Sequence, residues 1–168
     1  MPNRIFLVGF MGSGKSHWGR IWSEETGIAY YDLDLQIEKA YRISIADIFQ
    51  KKGEEKFREI ERLYLRRFDK KKNFLLACGG GTPCFADNLA WMKNHGIIIY
   101  LKATPEQIAQ NLKNETSQRP LLKELSAAGL LTFIKSKLKE RKVFYEAAHH
   151  ILLVNKISEE SLSLLLPN

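Results

Sequence analysis

The sequence predicts an α/β fold in which a parallel sheet is covered by helices on both faces. Its 168 residues suit one domain with a single sizeable core. Short runs of apolar residues alternate with longer amphipathic segments, which is the pattern of strands joined by helical crossovers. The chain is 45% hydrophobic and 27% charged, which is ordinary for a globular protein and excludes disordered and collagen-like chains. We therefore expect a single domain over residues 1–168.

Hydrophobic periodicity places the elements in order. The predicted strands are residues 4–8, 28–32, 74–78, 97–101 and 151–154. The predicted helices are 17–26, 35–41, 45–51, 54–68, 89–94, 105–113 and 130–147, with a short helix from 159. Gly27 is well placed to end the first helix as a C-terminal cap. Residues 114–125 are the one long loop candidate, and they are polar.

Charge and cysteine content limit the function classes without choosing one. The formal net charge is +7, and the densest basic run lies at 66–72. Such a run most often faces solvent at a helix end, although nucleic-acid binding and attraction of small anions use the same charges. The apolar run at 5–11 is too short to cross a bilayer and lacks a secretory cleavage site. Cys78 and Cys84 have no second pair, so we expect no disulfide framework or zinc site and a cytoplasmic location.

A phosphate-binding loop follows the first predicted strand. Residues 9–16, GFMGSGKS, satisfy the pattern G-x-x-x-x-G-K-[ST] between a strand and a helix. Glycines let successive backbone N–H groups point at phosphate oxygens, and the helix N-terminus adds partial positive charge. Lys15 is expected to reach the β- and γ-phosphates, and the Ser16 hydroxyl to bind Mg²⁺. The alternative is a glycine-rich turn with an incidental lysine. The motif predicts nucleotide binding but does not identify the phosphate acceptor.

Two aspartates at the end of the second predicted strand suggest a phosphotransferase. Asp32 and Asp34 are two residues apart, so in an extended segment both carboxylates would lie on one side. One would lie near Mg²⁺ and the other near an acceptor hydroxyl, at the sheet edge where α/β proteins bind ligands. Asp34 could instead serve only as the N-cap of the following helix.

Glycines and arginines elsewhere in the chain complete a candidate anion site. Gly79, Gly80 and Gly81 follow a strand directly and would let a ligand approach the backbone closely. Arg119 lies in the long loop and could neutralise a transferring phosphoryl group, and Arg141 could be a second anion clamp. Arg58 has a plainer alternative as a surface ion pair with Glu54 or Glu61.

Together these motifs resemble the shikimate kinase family, the small P-loop kinases of aromatic amino-acid biosynthesis, which are related in architecture to nucleoside monophosphate kinases. The resemblance covers essentially the whole chain. It rests on GFMGSGKS at 9–16, Arg20, DLD at 32–34, SIADIF at 44–49, GEEKFREIE at 53–61, CGGG at 78–81, RPLL at 119–122, and Arg141 with Tyr145. It implies a P-loop NTPase fold with a five-stranded parallel sheet, a lid at about 114–125 and a substrate-binding helical segment at about 33–62.

The resemblance also implies a role for each motif. The implied reaction is MgATP-dependent phosphorylation of the 3-hydroxyl of shikimate by a cytoplasmic monomer, with no nucleic-acid or membrane partner. The implied ATP contacts are Gly12, Ser13, Gly14, Lys15, Ser16, His17 and the lid residue Arg119, with Ser16 and Asp32 for Mg²⁺. The implied shikimate contacts are Asp34, Arg58, Gly79, Gly80, Gly81 and Arg141, with Phe49 and Phe57 as apolar walls. Lys15, Asp34 and Arg119 are the implied catalytic residues.

The sequence departs from the family pattern at several positions, and rival functions share parts of it. His17 and Cys78 stand where threonine is common, Arg42 where glycine is frequent and Val143 where proline is usual; Lys113 is the nearest candidate for the family's adenine-stacking arginine. A gluconate or nucleotide kinase would share the phosphate loop and lid. A regulatory GTPase is disfavoured because NKIS at 155–158 lacks the guanine-reading aspartate. A nucleic-acid module would leave both aspartates unexplained.

Overall fold

Five parallel strands form the central sheet in the order β2-β3-β1-β4-β5. The computed structural model describes residues 3–115 and 125–166. The strands are β1 (Arg4–Val8), β2 (Tyr30–Asp32), β3 (Phe74–Ala77), β4 (Ile97–Lys102) and β5 (His150–Leu153). The register places Ile5 of β1 opposite Leu75 of β3 on one side and Ile97 of β4 on the other. The five-stranded parallel sheet predicted from the sequence is confirmed.

Helices cover both faces of the sheet. They are α1 (Lys15–Thr26), α2 (Leu33–Tyr41), α3 (Ile45–Arg66), α4 (Asn88–His95), α5 (Pro105–Glu115) and α6 (Ala127–Tyr145). Short 3₁₀ turns occupy Arg67–Lys70, Thr82–Cys84, Val154–Lys156, Glu159–Ser161 and Ser163–Leu165. Among the described residues, no helix is both long and apolar enough to span a membrane.

Burial on both faces explains why the central strands are apolar throughout. Phe6 and Val8 of β1 pack with side chains of α2 and α3 in one cluster, whereas Ile5 and Leu7 pack on the other face with Trp22 of α1. A strand that is covered on both faces has no polar alternation, because neither set of side chains meets water. A third cluster joins α5 to α6.

Helix α3 is interrupted at Gly53, where φ is 79° and ψ is 167°. The sequence predicts two helices, 45–51 and 54–68, and the break at Gly53 separates these two segments. Glycine reaches this left-handed conformation without the steric cost that other residues incur. The second segment carries Arg58 toward the carboxyl ends of the strands. Gly27 also ends α1 as predicted, with φ of 70° and its N–H bonded to the Ser23 carbonyl.

Several predicted boundaries are wrong. Helix α2 begins at Leu33, so Asp32 is its N-cap, and the Asp32 side chain accepts a hydrogen bond from the Leu35 N–H at 3.1 Å. Asp34 therefore lies in the first helical turn, and the expectation that both carboxylates share one side of an extended segment does not hold. The segment from Glu159 forms 3₁₀ turns rather than an α-helix, and α5 continues into the predicted loop as far as Glu115.

Candidate active site

The phosphate loop follows β1 and adopts left-handed backbone conformations. Gly9, Gly12 and Gly14 have φ of 149°, 76° and 91°. A Cβ at Gly9 would lie 2.8 Å from both the Leu101 carbonyl oxygen and the Ser13 Oγ, so the loop closes tightly there. The Ser13 Oγ is buried and finds no hydrogen-bond partner among the described residues. The loop is therefore shaped by its glycines and carries an unsatisfied polar atom.

Lys15 and Ser16 begin α1 and face different partners. The Lys15 Nζ donates to the carbonyl oxygens of Gly9 and Phe10 at 2.8 and 2.9 Å, so its ammonium lies over the loop. The Ser16 hydroxyl donates to the Asp32 Oδ2 at 3.2 Å. His17 is exposed on the same turn. Ser16 follows β1 and Asp32 ends β2, so their side chains reach each other across the end of β3, which lies between these two strands.

Tyr30 joins the Ser16–Asp32 pair. Its hydroxyl donates to the Asp32 Oδ2 at 3.4 Å. Burial is the main cause that raises the pKa of Tyr30 to about 12, so the phenol is protonated at neutral pH. The hydroxyl oxygen of Ser16 and the carboxylate oxygen of Asp32 suit Mg²⁺, which uses one or two protein oxygens alongside substrate phosphates. The described residues contain no group of three or more His, Cys, Asp or Glu side chains that could hold a metal ion.

A pocket of about 120 Å³ lies beside the phosphate loop. It is lined by Met11, Asp34, Ile45, Phe57, Arg58, Glu61, Gly79, Gly80, Gly81 and Arg141. Every predicted shikimate contact except Phe49 therefore lines one cavity. Phe49 does not line the cavity but packs against Phe57, with ring centroids 4.5 Å apart.

Each of the three consecutive glycines faces a different candidate side chain. A Cβ at Gly79 would lie 2.9 Å from a Glu61 carboxylate oxygen and 3.2 Å from one of Asp34. A Cβ at Gly80 would lie 3.3 Å from the Arg141 Nη1, and one at Gly81 would lie 2.7 Å from the Arg58 Nη2. The glycines thus let charged groups approach the backbone more closely than any side chain would permit.

Arg58 is held by two carboxylates and an aromatic ring. Its Nη1 donates to Glu61 and its Nη2 to Glu54, both at 3.1 Å. The guanidinium carbon lies 3.9 Å from the centroid of the Phe85 ring. Both ion pairs expected from the sequence are present. The pair with Glu61 is buried, with the Arg58 and Glu61 side chains 15% and 1% exposed, whereas the Glu54 side chain is 57% exposed. The Arg58 Nε is buried and has no hydrogen-bond partner among the described residues.

Glu61 is a buried acid that the sequence analysis did not assign to the site. Its second oxygen accepts a hydrogen bond from the Thr82 hydroxyl at 2.6 Å. Burial raises the pKa of Glu61, and the Arg58 guanidinium opposes that shift. Glu61 stands three residues after Arg58 and one after Ile60, on the apolar face of α3. Its position as a charged residue on the apolar face of a predicted helix is the sequence signal that could have indicated a buried role for Glu61.

Asp34 has an unusually weak acid group. Burial is the main cause that raises the pKa of Asp34 to about 7, and the Glu61 and Asp32 carboxylates add to it while Lys15 opposes it. The carboxyl is thus near the range where a group can exchange a proton at neutral pH. Asp34 lines the pocket together with Met11 of the phosphate loop, Arg58 and Arg141.

Helix α6 brings Arg141 to the pocket. The Tyr145 hydroxyl donates to the Gly80 carbonyl oxygen at 2.5 Å, and its ring stacks on Tyr100 with centroids 5.0 Å apart. The Arg141 guanidinium carbon lies 5.5 Å from the centroid of the Phe10 ring. Val143 is 70% exposed, so the departure there does not touch the site.

The other departures are structural or peripheral. Cys78 is fully buried, and burial raises the pKa of its thiol well above the usual range. Arg42 has φ of 56° at the C-terminal cap of α2, where glycine would adopt that conformation without strain. Lys113 is exposed in the last turn of α5. Arg119 lies outside the described residues.

Two features lie apart from the pocket. The basic run at 66–72 precedes β3 and so lies toward the amino end of that strand, whereas the pocket lies at the carboxyl ends. Arg66 in this run pairs with Asp87 at 2.8 Å. A larger cavity of about 510 Å³ lies behind α6 and is lined by Tyr100, Lys102 and Lys139 among others. It contains none of the predicted site residues.

Comparison with known proteins identifies close relatives over most of the chain. The family model described as shikimate kinase matches residues 11–166. The chain is 39% identical over 156 residues to a shikimate kinase from Azobacteroides pseudotrichonymphae genomovar. CFP2, covering 92% of both chains. It is also 39% identical over 158 residues to a shikimate kinase from Parabacteroides distasonis, covering 94% of this chain and 91% of that one.

Solved structures show the same relationship. A shikimate kinase from Bacteroides thetaiotaomicron superposes with a TM-score of 0.93 at 31% identity, covering 97% of both chains. One from Acinetobacter baumannii in complex with shikimate gives a TM-score of 0.83 at 34% identity, covering 98% of this chain and 90% of that one. A gluconokinase from Sinorhizobium meliloti 1021, at 14% identity and a TM-score of 0.56, shares the fold alone.

Proposed function

Because the chain belongs to the shikimate kinase family, we propose that it transfers the γ-phosphoryl group of ATP to the 3-hydroxyl of shikimate, giving shikimate 3-phosphate and ADP. One observation carries the proposal. Asp34, Arg58 and Arg141, which come from three different helices, line a single cavity against the glycine run and beside the phosphate loop. That cavity combines an acid for a hydroxyl with two guanidinium groups for a carboxylate.

The donor half of the site is the phosphate loop. Gly12, Ser13 and Gly14 would present backbone N–H groups to the phosphates of ATP, and the N-terminus of α1 favours negative charge there. Lys15 would exchange its two carbonyl partners for phosphate oxygens. His17, which is exposed one residue after Ser16, would contact the nucleotide.

Ser16 and Asp32 would hold Mg²⁺ in this site. Their oxygens already lie 3.2 Å apart, and both are hard donors. When bound, the ion would neutralise charge on the phosphates during transfer.

The acceptor half of the site would orient shikimate through its carboxylate. The planar guanidinium groups of Arg58 and Arg141 offer paired N–H donors, which match a carboxylate better than an ammonium does. Phe57 would supply an apolar wall, with Phe49 packed against it. Gly79, Gly80 and Gly81 would admit the substrate ring close to the backbone.

Asp34 would act on the attacking hydroxyl. Its carboxylate would accept a hydrogen bond from the 3-hydroxyl, hold the oxygen in line with the γ-phosphorus and take up the proton as the new P–O bond forms. Phosphoryl transfer depends mainly on positioning and charge stabilisation, so orientation by Asp34 contributes even before proton transfer is complete.

We also propose that residues 1–168 form one domain with a substrate-binding segment at about 33–62 and a lid at about 114–125, most of which lies outside the described residues. Arg119, in the lid, would contact the phosphates when it closes, which would also exclude water. We further propose that the enzyme acts as a monomer in the cytoplasm, without a nucleic-acid partner.

A coupled assay of ADP release tests the proposal. Shikimate, gluconate and nucleoside monophosphates are offered separately with MgATP, and a Lys15→Ala variant serves as the control for contaminating kinases. We expect ADP release that depends on shikimate and is lost in the variant. ADP release with gluconate or a nucleoside monophosphate instead of shikimate would overturn the assignment.

A further inference from the structure

We propose that Tyr30 is a positioning residue for the metal site: its hydroxyl holds the Asp32 carboxylate in the orientation that binds Mg²⁺. This inference rests on the proposed function, since it assumes that Asp32 and Ser16 hold the ion. Tyr30 belongs to none of the motifs from which the site was predicted. It is the first residue of β2, two residues before Asp32.

Each oxygen of the Asp32 carboxylate has its own donors. The Oδ1 accepts from the Leu35 N–H at 3.1 Å and so caps α2. The Oδ2 accepts from the Ser16 hydroxyl at 3.2 Å and from the Tyr30 hydroxyl at 3.4 Å. A carboxylate held at both oxygens cannot rotate freely. The Ser16 hydroxyl oxygen would bind the ion, whereas the Tyr30 hydroxyl is not a proposed metal ligand and can continue to donate to the Asp32 Oδ2.

The Tyr30 ring packs into the space that the missing side chain of Gly19 leaves on the surface of α1. A Cβ at Gly19 would lie 2.4 Å from the Tyr30 Cε2 and 2.8 Å from its Cδ2. Real Cβ atoms do not approach other atoms so closely, so the ring occupies space that only glycine leaves open at position 19. Gly19 lies three residues after Ser16 on α1. The same contact therefore sets the Tyr30 hydroxyl relative to both oxygens of the proposed metal site.

The simpler explanation is that the Tyr30 ring only packs β2 against α1. Tyr30→Phe separates the two roles, because phenylalanine keeps the ring in the Gly19 gap and removes only the hydroxyl. Tyr31→Phe is the matched control. Tyr31 follows Tyr30 in the same strand, but it packs with Phe68 on the other face and its hydroxyl accepts from the Lys71 Nζ at 3.1 Å.

The test measures the binding of a non-hydrolysable ATP analogue by calorimetry, in EDTA and at a series of Mg²⁺ concentrations up to saturation. The ratio of the two affinities reports the contribution of the metal without any turnover. Removal of a group that orients a metal ligand typically lowers metal affinity by about 10- to 100-fold. We expect Tyr30→Phe to raise the Mg²⁺ concentration needed for half of the affinity gain by about tenfold, with the affinity in EDTA unchanged. Tyr31→Phe should match the unmodified chain in both conditions.

Two results would overturn the inference: a Mg²⁺ requirement in Tyr30→Phe equal to that in Tyr31→Phe, or an equal loss of affinity in EDTA, which would show a packing role. Failure of the proposed function looks different. If the unmodified chain binds the analogue with Mg²⁺ dependence but releases no ADP with shikimate, the acceptor assignment fails while the Tyr30 result still stands. If the unmodified chain shows no Mg²⁺ dependence at all, the inference falls whatever the acceptor is.

Discussion

Gly81→Ala tests whether the glycine run exists to admit Arg58. Gly81 has φ of −96° and ψ of −11°, which alanine adopts without strain, so any effect comes from the methyl group. That methyl would lie 2.7 Å from the Arg58 Nη2 and 2.8 Å from its Nη1, whereas ordinary contact begins at 3.4 Å. The guanidinium must therefore move by about 0.7 Å, and misplacement by about 1 Å can cost 10²-fold in rate.

The displacement should weaken shikimate binding without lowering the stability of the fold. The atoms that the new methyl group would contact are the end of the long Arg58 side chain, which can move without shifting the backbone. Replacement of glycine by alanine at a compatible backbone position stabilises a fold by about 0.4–1 kcal/mol. A hydrogen bond to a charged group contributes about 1.5–3 kcal/mol, so its loss should raise the KM for shikimate by roughly 10- to 150-fold. The KM for ATP should not change.

Steady-state kinetics and thermal unfolding of Gly81→Ala and Gly80→Ala provide the assay. At Gly80 the nearest atom to the new Cβ is the Arg141 Nη1 at 3.3 Å, which needs to yield by only a few tenths of an ångström, so we expect a smaller rise in the KM for shikimate. The reasoning is refuted if Gly81→Ala keeps the KM for shikimate of the unmodified chain, or if the KM for ATP rises by the same factor.

Three further predictions follow from the site and the fold. Asp34→Asn should retain binding of an ATP analogue while kcat falls by about 10²- to 10⁴-fold; a kcat near that of the unmodified chain would show that the carboxylate is not required. Arg58→Lys should raise the KM for shikimate by at least about tenfold, because one ammonium cannot replace a planar fork; an unchanged KM would remove Arg58 from the site. The His149 Nδ1 accepts a hydrogen bond from the Ile98 N–H at 2.9 Å, and burial, followed by positive neighbours, lowers the pKa of His149 below 6.5. The unfolded chain therefore binds a proton more readily than the folded one, and the stability that neutral His149 gives above pH 6.5 is lost as the pH falls through its lowered pKa. Urea unfolding between pH 7.5 and 5.5 should show a shallower loss of stability in His149→Gln than in His150→Gln, and equal slopes would contradict this role.

The phosphate loop and the strands were predictable because their signals are local. The glycine spacing at 9–16 and the apolar runs depend on neighbours in the sequence, and the structure places each near its predicted bounds. The two aspartates were harder, because their relation depends on where β2 becomes α2. The carboxylate of Asp32 caps the helix at Leu33, and this turn, not a shared extended segment, brings Asp34 into the pocket.

The contacts around Arg58 could not be read from the sequence. Glu61 is paired by the Thr82 hydroxyl, 21 residues away, and this contact exists only after β3 has brought the glycine run back to α3. An acidic residue three positions from an arginine on a helix usually forms a surface ion pair, so the sequence pattern did not indicate that Glu61 lines the pocket. Phe49 does not line the pocket, but its ring packs against Phe57 and lies 5.8 Å from the Arg58 guanidinium carbon, so its role as an apolar wall stays a prediction.

A crystal structure of this chain with shikimate and a non-hydrolysable ATP analogue would show where both substrates bind. We expect the shikimate carboxylate within about 3 Å of donor nitrogens from both Arg58 and Arg141, with the 3-hydroxyl bonded to Asp34 and directed at the γ-phosphate over Lys15. Shikimate bound in the cavity behind α6, or bound with its carboxylate away from both arginines, would contradict it.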